Sequence, residues 1–195
     1  MFVTFEGLDG CGKTTQAQLL AESLTADGVA VVSTREPGGT PLGEEIRDLV
    51  LHGDHIAPWA ETALYLAARA QHVDQVIGPA LAGGATVVCD RYLDTSVAYQ
   101  GGGRELGVDT VLELNLLAVD GLVPDRTVLV EIDVETALAR VGDKRDRIEQ
   151  AEAEFWPRVV DAYRDLAARY PERYVVVDGR RPIPEIAEEI RERLH

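Results

Sequence analysis

Cysteine is almost missing from this chain: Cys11 and Cys89 are the only two in 195 residues. Two thiols make no disulfide framework. Positive charge is scarce too, with 19 Lys and Arg against 34 Asp and Glu, a net charge of −15. A field of that sign excludes non-specific attachment to a nucleic acid polymer or an anionic membrane, while a small anion needs only local positive charge. Three Phe and two Trp leave the 46% hydrophobic content largely aliphatic. No run approaches 18 apolar residues, so no transmembrane helix is expected. The start, Met1 to Glu6, lacks the positive region of a secretory signal, and a cytoplasmic location is the expectation. Also missing is any Asn-Lys-x-Asp run, the base reader of Ras-like guanine switches.

What is present is ample for a core. A chain of 21.2 kDa can bury about 70% of its extended surface. Short β-rich runs alternate with longer helical periods. Strands are expected at Phe2 to Glu6, Val29 to Ser33, Ala85 to Cys89, Thr127 to Ile132 and Tyr174 to Val177. Ala17, Leu20, Ala21 and Leu24 fall on one helical stripe, with Gly28 as its C-cap. Thr40 and Pro41 read as the N-cap and first residue of the next helix. A long helix is expected from about Ala60 to Leu81, with a kink at Pro79, then a mostly helical region broken at Gly101 to Gly103. Further helices are expected over Val134 to Val141, Glu149 to Arg169 and Ile183 to Leu194. Strands spaced by helices imply an α/β fold, a parallel sheet with helices on both faces. No repeat or linker divides residues 1–195, which read as one domain.

The strongest local signal is Gly7-Leu8-Asp9-Gly10-Cys11-Gly12-Lys13-Thr14, which fits G-x-x-x-x-G-K-[ST] between a strand and an amphipathic helix. Glycines let successive N–H groups converge on phosphate oxygens, and the helix N-terminus adds its dipole. Lys13 supplies charge to the β/γ-phosphates and the Thr14 hydroxyl suits Mg²⁺. Thr15 continues the loop. The pattern specifies a nucleoside triphosphate with Mg²⁺ and leaves the acceptor open. Cys11, at a helix start, is expected to have a lowered pKa and to be alkylated unless ATP shields it.

Other residues point to a second substrate. Asp90 and Arg91 follow a strand, where ligands of α/β sheets collect. Asp90 suits the metal or its water, and Arg91 an anionic phosphate. Asp9 would repel phosphates unless it serves something else, such as an acceptor hydroxyl. Tyr65 and Arg69, four apart on a helix, offer a plane and a fork for a base. Arg140, Lys144, Arg145 and Arg147 form a basic cluster in an acidic chain, suited to closing over a triphosphate.

Together these runs resemble the thymidylate kinases. The matching stretches are Phe5 to Gln16, Arg35 to Thr40, Tyr65 to His72, Asp90 to Tyr92 with Ser96 to Gly101, Pro124-Asp125, and Asp146 to Gln150, in the family's order over nearly the full length. The resemblance implies a three-layer P-loop nucleoside monophosphate kinase fold, a five-stranded parallel sheet with a short lid at about residues 140–150. It implies transfer of the γ-phosphoryl of ATP to dTMP, with Mg²⁺, by a homodimer. It also implies that Asp9 holds the 3′-hydroxyl, Arg91 the acceptor phosphate, Tyr65 stacks on thymine and Arg69 bonds the base edge. Ser96 and Gln100 lie along the base, Tyr99 crowds the 2′ position, and Pro37 shapes the pocket beside Arg35 and Arg47. The stacking ring in bacterial relatives is usually Phe, so the Tyr65 hydroxyl requires a polar neighbour or water. Cys11 stands where some members carry a loop arginine, so the lid must supply the catalytic cation, with Arg147 or Arg145 favoured over Arg140. Two rivals remain: a kinase of another nucleotide or nucleoside, and an ATP-dependent switch acting on a partner protein.

Overall fold

Apolar runs too short for helices become the strands of one parallel sheet. The structure is a computed structural model that describes residues 1–141, 147–148 and 154–194. Strands β1 (Phe2–Glu6), β2 (Val31–Arg35), β3 (Thr86–Asp90), β4 (Arg126–Glu131) and β5 (Tyr174–Asp178) lie in the order β2-β3-β1-β4-β5. Every neighbouring pair is parallel. Central β1 is buried at all its positions, whereas edge strand β2 is half-exposed. The helices that flank the sheet among the described residues are α1 (Lys13–Ala26), α2 (Pro41–His52), α3 (Pro58–His72), α4 (Gly78–Ala82), α5 (Leu93–Ser96), α6 (Val108–Ala118), α7 (Val134–Val141), α8 (Phe155–Arg169) and α9 (Ile183–Leu194).

Local chemistry accounts for most boundaries. Helix α1 buries the stripe Ala17, Leu20, Ala21 and Leu24 that its spacing predicts. Thr40 caps α2, its Oγ1 accepting from the Gly43 N–H at 3.0 Å, with Pro41 in the first turn. Strand β2 starts two residues later than expected. The N–H of Val29 is committed to the Leu24 carbonyl at 3.0 Å, closing α1, so Val29 cannot join the ladder. The strand instead runs on to Arg35, paired beside Asp90.

Two helical expectations change. The stretch before Pro79 stays wound through a π-helical turn, Val73–Ile77, in which the N–H of Gly78 reaches the Val73 carbonyl five residues back. That wider turn takes up the crowding a proline imposes on the preceding helix. Gly101 to Gly103 do not break the chain but end a second π-helical segment, Val97–Gly103. A Cβ on Gly103 would lie 2.4 Å from the Phe155 ring, so its absence lets α8 pack against this segment.

The register decides where a site can form. Phe5 pairs with Asp90, and the N–H of Arg91 continues that ladder to the Phe5 carbonyl at 2.9 Å. The loops leaving β1 and β3 therefore emerge side by side at the strands' carboxyl ends, while β4 lies on the other side of β1.

Candidate active site

The loop after β1 turns at Gly7, where φ is +135° and an added Cβ would sit 2.5 Å from the Val130 carbonyl oxygen. Only glycine permits that approach. Helix α1 begins at Lys13 with no side-chain cap, so its first N–H groups are offered to a ligand. Lys13 is buried, and its Nζ donates to the Leu8 carbonyl at 3.3 Å and to Asp9 Oδ1 at 3.1 Å.

Asp9 is where the loops of β1 and β3 meet. Arg91 Nη2 donates to its Oδ1 at 2.6 Å and the Tyr99 hydroxyl to its Oδ2 at 3.3 Å. Burial alone would raise the Asp9 pKa, but the charges and hydrogen bonds of Arg91 and Lys13 outweigh it and hold the carboxyl well below the usual range. Arg91 also donates to the Gly7 carbonyl and to Thr95 Oγ1, both at 3.2 Å. Its backbone takes φ +71°, costly for a residue with a side chain. Glu6 secures this bend from behind. Its Oε1 accepts from the Tyr92 N–H at 2.8 Å, and its Oε2 accepts from Thr95 Oγ1 at 2.5 Å and Tyr163 at 2.9 Å. Burial, with the nearby charge of Asp94, raises this carboxyl from 4.5 to about 7.

Thr14 Oγ1 donates to Asp90 Oδ2 at 2.5 Å, while Asp90 Oδ1 is buried with no partner among the described residues. A hydroxyl beside a carboxylate with an unspent oxygen suits a hard divalent cation, so these two residues fit Mg²⁺. Thr15 is exposed at the mouth of the loop.

Beyond Arg91 lies a cavity of about 70 Å³ lined by Asp9, Pro37, Arg47, Tyr65, Arg91, Tyr99, Gln100 and Ile148, among others. Tyr99 is held edge-on by Phe155, Trp156 and Tyr163, with the Arg91 guanidinium 5.2 Å from its ring centre. Arg47 donates to the Pro37 carbonyl at 3.0 Å, whereas Arg35 is drawn away by Glu44 at 2.8 Å. The Tyr65 hydroxyl is not among the buried polar atoms left without a partner.

Arg69 and Ser96 are not in the cavity wall. Arg69 is 2% exposed and spends four donor hydrogens on Glu36, Ser96, Asn115 and the Tyr92 carbonyl, which leaves one of its five N–H groups outside these four bonds. Glu36 also meets His72 Nδ1 at 2.9 Å, and His72 Nε2 meets Thr34 Oγ1 at 2.6 Å. The two arginines of the basic cluster among the described residues part company. Arg140 Nη1 donates to the Gly10 and Gly179 carbonyls at 3.2 Å, against the loop after β1. Arg147, expected at the phosphates, instead donates to the Val50 carbonyl at 2.8 Å and to Glu61 Oε2 at 2.5 Å. Lys144 and Arg145 lie outside the described residues.

Cys11 departs from expectation. Its thiol is 2% exposed, and burial raises its pKa against the pull of Lys13. Glu6, Glu36 and Glu61 were missed by the sequence reading. Glu61 had a signal, since it stands four residues before Tyr65 and eight before Arg69 on one helical face.

Comparison with known proteins agrees with this geometry. Residues 5–190 match the family model described as thymidylate kinase. A thymidylate kinase of Leifsonia xyli is 56% identical, over 100% of this chain and 94% of the relative. One from Clavibacter sepedonicus is 52% identical over the same shares. The crystal structure of thymidylate kinase from Ehrlichia chaffeensis superposes with a TM-score of 0.83 at 36% identity, covering 100% of this chain and 98% of that one.

Proposed function

The chain belongs to the thymidylate kinase family, and from that premise we propose how its residues divide the work of the reaction. The enzyme transfers the γ-phosphoryl group of ATP to dTMP, giving ADP and dTDP on the way to dTTP. The observation that carries the assignment of roles is Asp9 between Lys13 and Arg91, since it joins the phosphate loop to the acceptor cavity.

The acceptor is itself a phosphate anion, so no strong general base is needed. The obstacle is repulsion between two anions. Lys13 exchanges the Asp9 carboxylate for the β/γ-phosphates, and Arg91 exchanges it for the acceptor phosphate. Asp9, ionised and relieved of both cations, then receives the 3′-hydroxyl of dTMP. The N–H groups of Gly7 to Thr15, including those of Leu8, Gly10, Cys11 and Gly12, cradle the donor. Thr14 and Asp90 would hold Mg²⁺, which when bound offsets charge on the triphosphate. Tyr65 stacks on the base, Gln100 and the remaining Arg69 N–H face its edge, and Ser96 orients Arg69. Pro37 closes the sugar side, and Tyr99, braced by three aromatic rings, leaves no room for a 2′-hydroxyl. A nucleoside monophosphate is several times larger than 70 Å³, so the Arg147–Ile148 segment must withdraw for entry. Arg140 steadies the donor loop, and Arg145 is left as the candidate for the transition-state cation.

The protein is further proposed to be one kinase domain over residues 1–195 with a lid at about 140–150, cytoplasmic, and a homodimer. Exposed Leu49, Trp59 and Leu117 on the adjoining α2, α3 and α6 support pairing, and no described helix is long and apolar enough to cross a membrane.

A coupled assay with Mg-ATP against dTMP, dUMP, UMP, CMP, dCMP, AMP, GMP and thymidine tests the reading. The expected result is the highest kcat/KM for dTMP, a lower value for dUMP and poor turnover of ribonucleotides. Inactivity on dTMP with turnover of another monophosphate would refute the base-pocket assignment.

A further inference from the structure

Gln100 has one end of its amide committed and the other end unspent. Its side chain is 1% exposed, and its Nε2 donates to Glu61 Oε1 at 2.8 Å. Its Oε1 is buried without a partner among the described residues, and the residue lines the acceptor cavity. The orientation is dictated from behind. Glu61 is wholly buried, and a carboxylate offers acceptors only, so Gln100 must turn its NH₂ toward it. Glu61 cannot swing away, because Arg147 and Arg104 hold its Oε2 at 2.5 and 3.3 Å.

We propose that Glu61 is a specificity-positioning residue, which locks the Gln100 amide so that the cavity meets a carbonyl oxygen and selects pyrimidines bearing an N3–H. Thymine and uracil supply that donor. Cytosine presents a lone pair at N3, which would face the Gln100 oxygen. The amide cannot flip to accommodate it, since its oxygen would then face the Glu61 carboxylate. The inference rests on the dTMP reading above and adds a residue that touches no substrate. A buried donor–acceptor mismatch of this kind is worth about ten- to a hundredfold in discrimination. Glu61 also ties base reading to the Arg147–Ile148 segment, since one carboxylate serves both.

The test compares dTMP, dUMP and dCMP as acceptors in the wild type and three variants. Glu61→Gln keeps its oxygen toward the donating Arg147 and Arg104 and turns its NH₂ to Gln100, so the lock on the Gln100 amide is reversed. The expected result is a fall of about tenfold or more in the dTMP-to-dCMP ratio of kcat/KM, with the dTMP-to-dUMP ratio unchanged. Glu61→Asp keeps a carboxylate, and its dTMP-to-dCMP ratio should stay within about threefold of wild type. Equal losses on dTMP and dCMP in Glu61→Gln would overturn the proposal, as would an Asp variant that loses selectivity as fully as the Gln variant. Should Glu61→Gln not fold, Gln100→Met, which has no amide oxygen, carries the decision: retained selectivity overturns the proposal and a tenfold contraction supports it. Wild-type inactivity on dTMP would be a failure of the substrate reading. Wild-type activity with selectivity unmoved in the variants would be a failure of this one.

Discussion

Glu6 makes a quantitative prediction, because it is wholly buried and its surroundings are defined on every side. Tyr92, Thr95 and Tyr163 donate to it, Asp94 opposes its charge, and Arg91 favours it less strongly than burial disfavours it. The outcome is a carboxyl raised from 4.5 to about 7. Folding therefore strengthens proton binding. The stabilising contribution is fully present below the unfolded value and is lost as pH rises through the folded one. At about 1.36 kcal/mol per tenfold in proton affinity, the gap is worth about 3 kcal/mol in all. About 2 kcal/mol of it should be lost between pH 5.5 and 8, a range that stays clear of the isoelectric point near 4.6. Glu6→Gln keeps an oxygen for the Tyr92 N–H and an NH₂ for Thr95 and Tyr163, yet cannot ionise. Urea unfolding of both proteins across that range reads out the residue together with its coupling to Asp94, because the remaining titrating groups are common to the two. The stability of the wild type relative to the variant should fall by about 2 kcal/mol toward pH 8. A difference that stays flat within about 0.5 kcal/mol would refute the reasoning.

The two arginines of the described basic segment should separate kinetically. Arg140→Ala is expected to raise KM for ATP about tenfold with KM for dTMP little changed, because Arg140 braces the Gly10 carbonyl; Arg147→Ala should raise KM for dTMP instead, and the reverse pattern would contradict the placement. The buried Cys11 thiol should resist iodoacetamide at pH 8 in the folded enzyme and react once urea unfolds it. Rapid loss of activity in native buffer, prevented by ATP, would instead restore the expectation of an activated thiol at the helix start.

What could be read in the sequence was local. The phosphate loop, the α1 stripe, the Thr40 cap and the strand–helix alternation each depend on spacings of a few residues, and each appears where the spacing places it. The boundary of β2 and the course of the helix ahead of Pro79 were less legible, because a hydrogen bond closing α1 and a π-helical turn decide them. Arg69 was named for its fork, but its four buried partners lie on other elements, and no spacing along α3 announces them.

The acids were the least legible, and the reason is thermodynamic. A net charge of −15 invites the view that Glu side chains are solvated surface. Glu6, Glu36 and Glu61 are instead buried, at a desolvation cost that their partners offset only in part at Glu6. Those partners come from 33 to 157 residues away. Each acid holds a group that borders the proposed site: Glu6 the bend that carries Arg91, Glu36 the Arg69 fork, Glu61 the Gln100 amide and Arg147. An arginine or amide left to solvent would sample many rotamers, and a 1 Å error in placing a phosphate or base edge is expensive. Burying an acid beside each one exchanges folding stability for orientation. By that argument, neutralising any of the three should alter substrate discrimination or KM before it abolishes the fold.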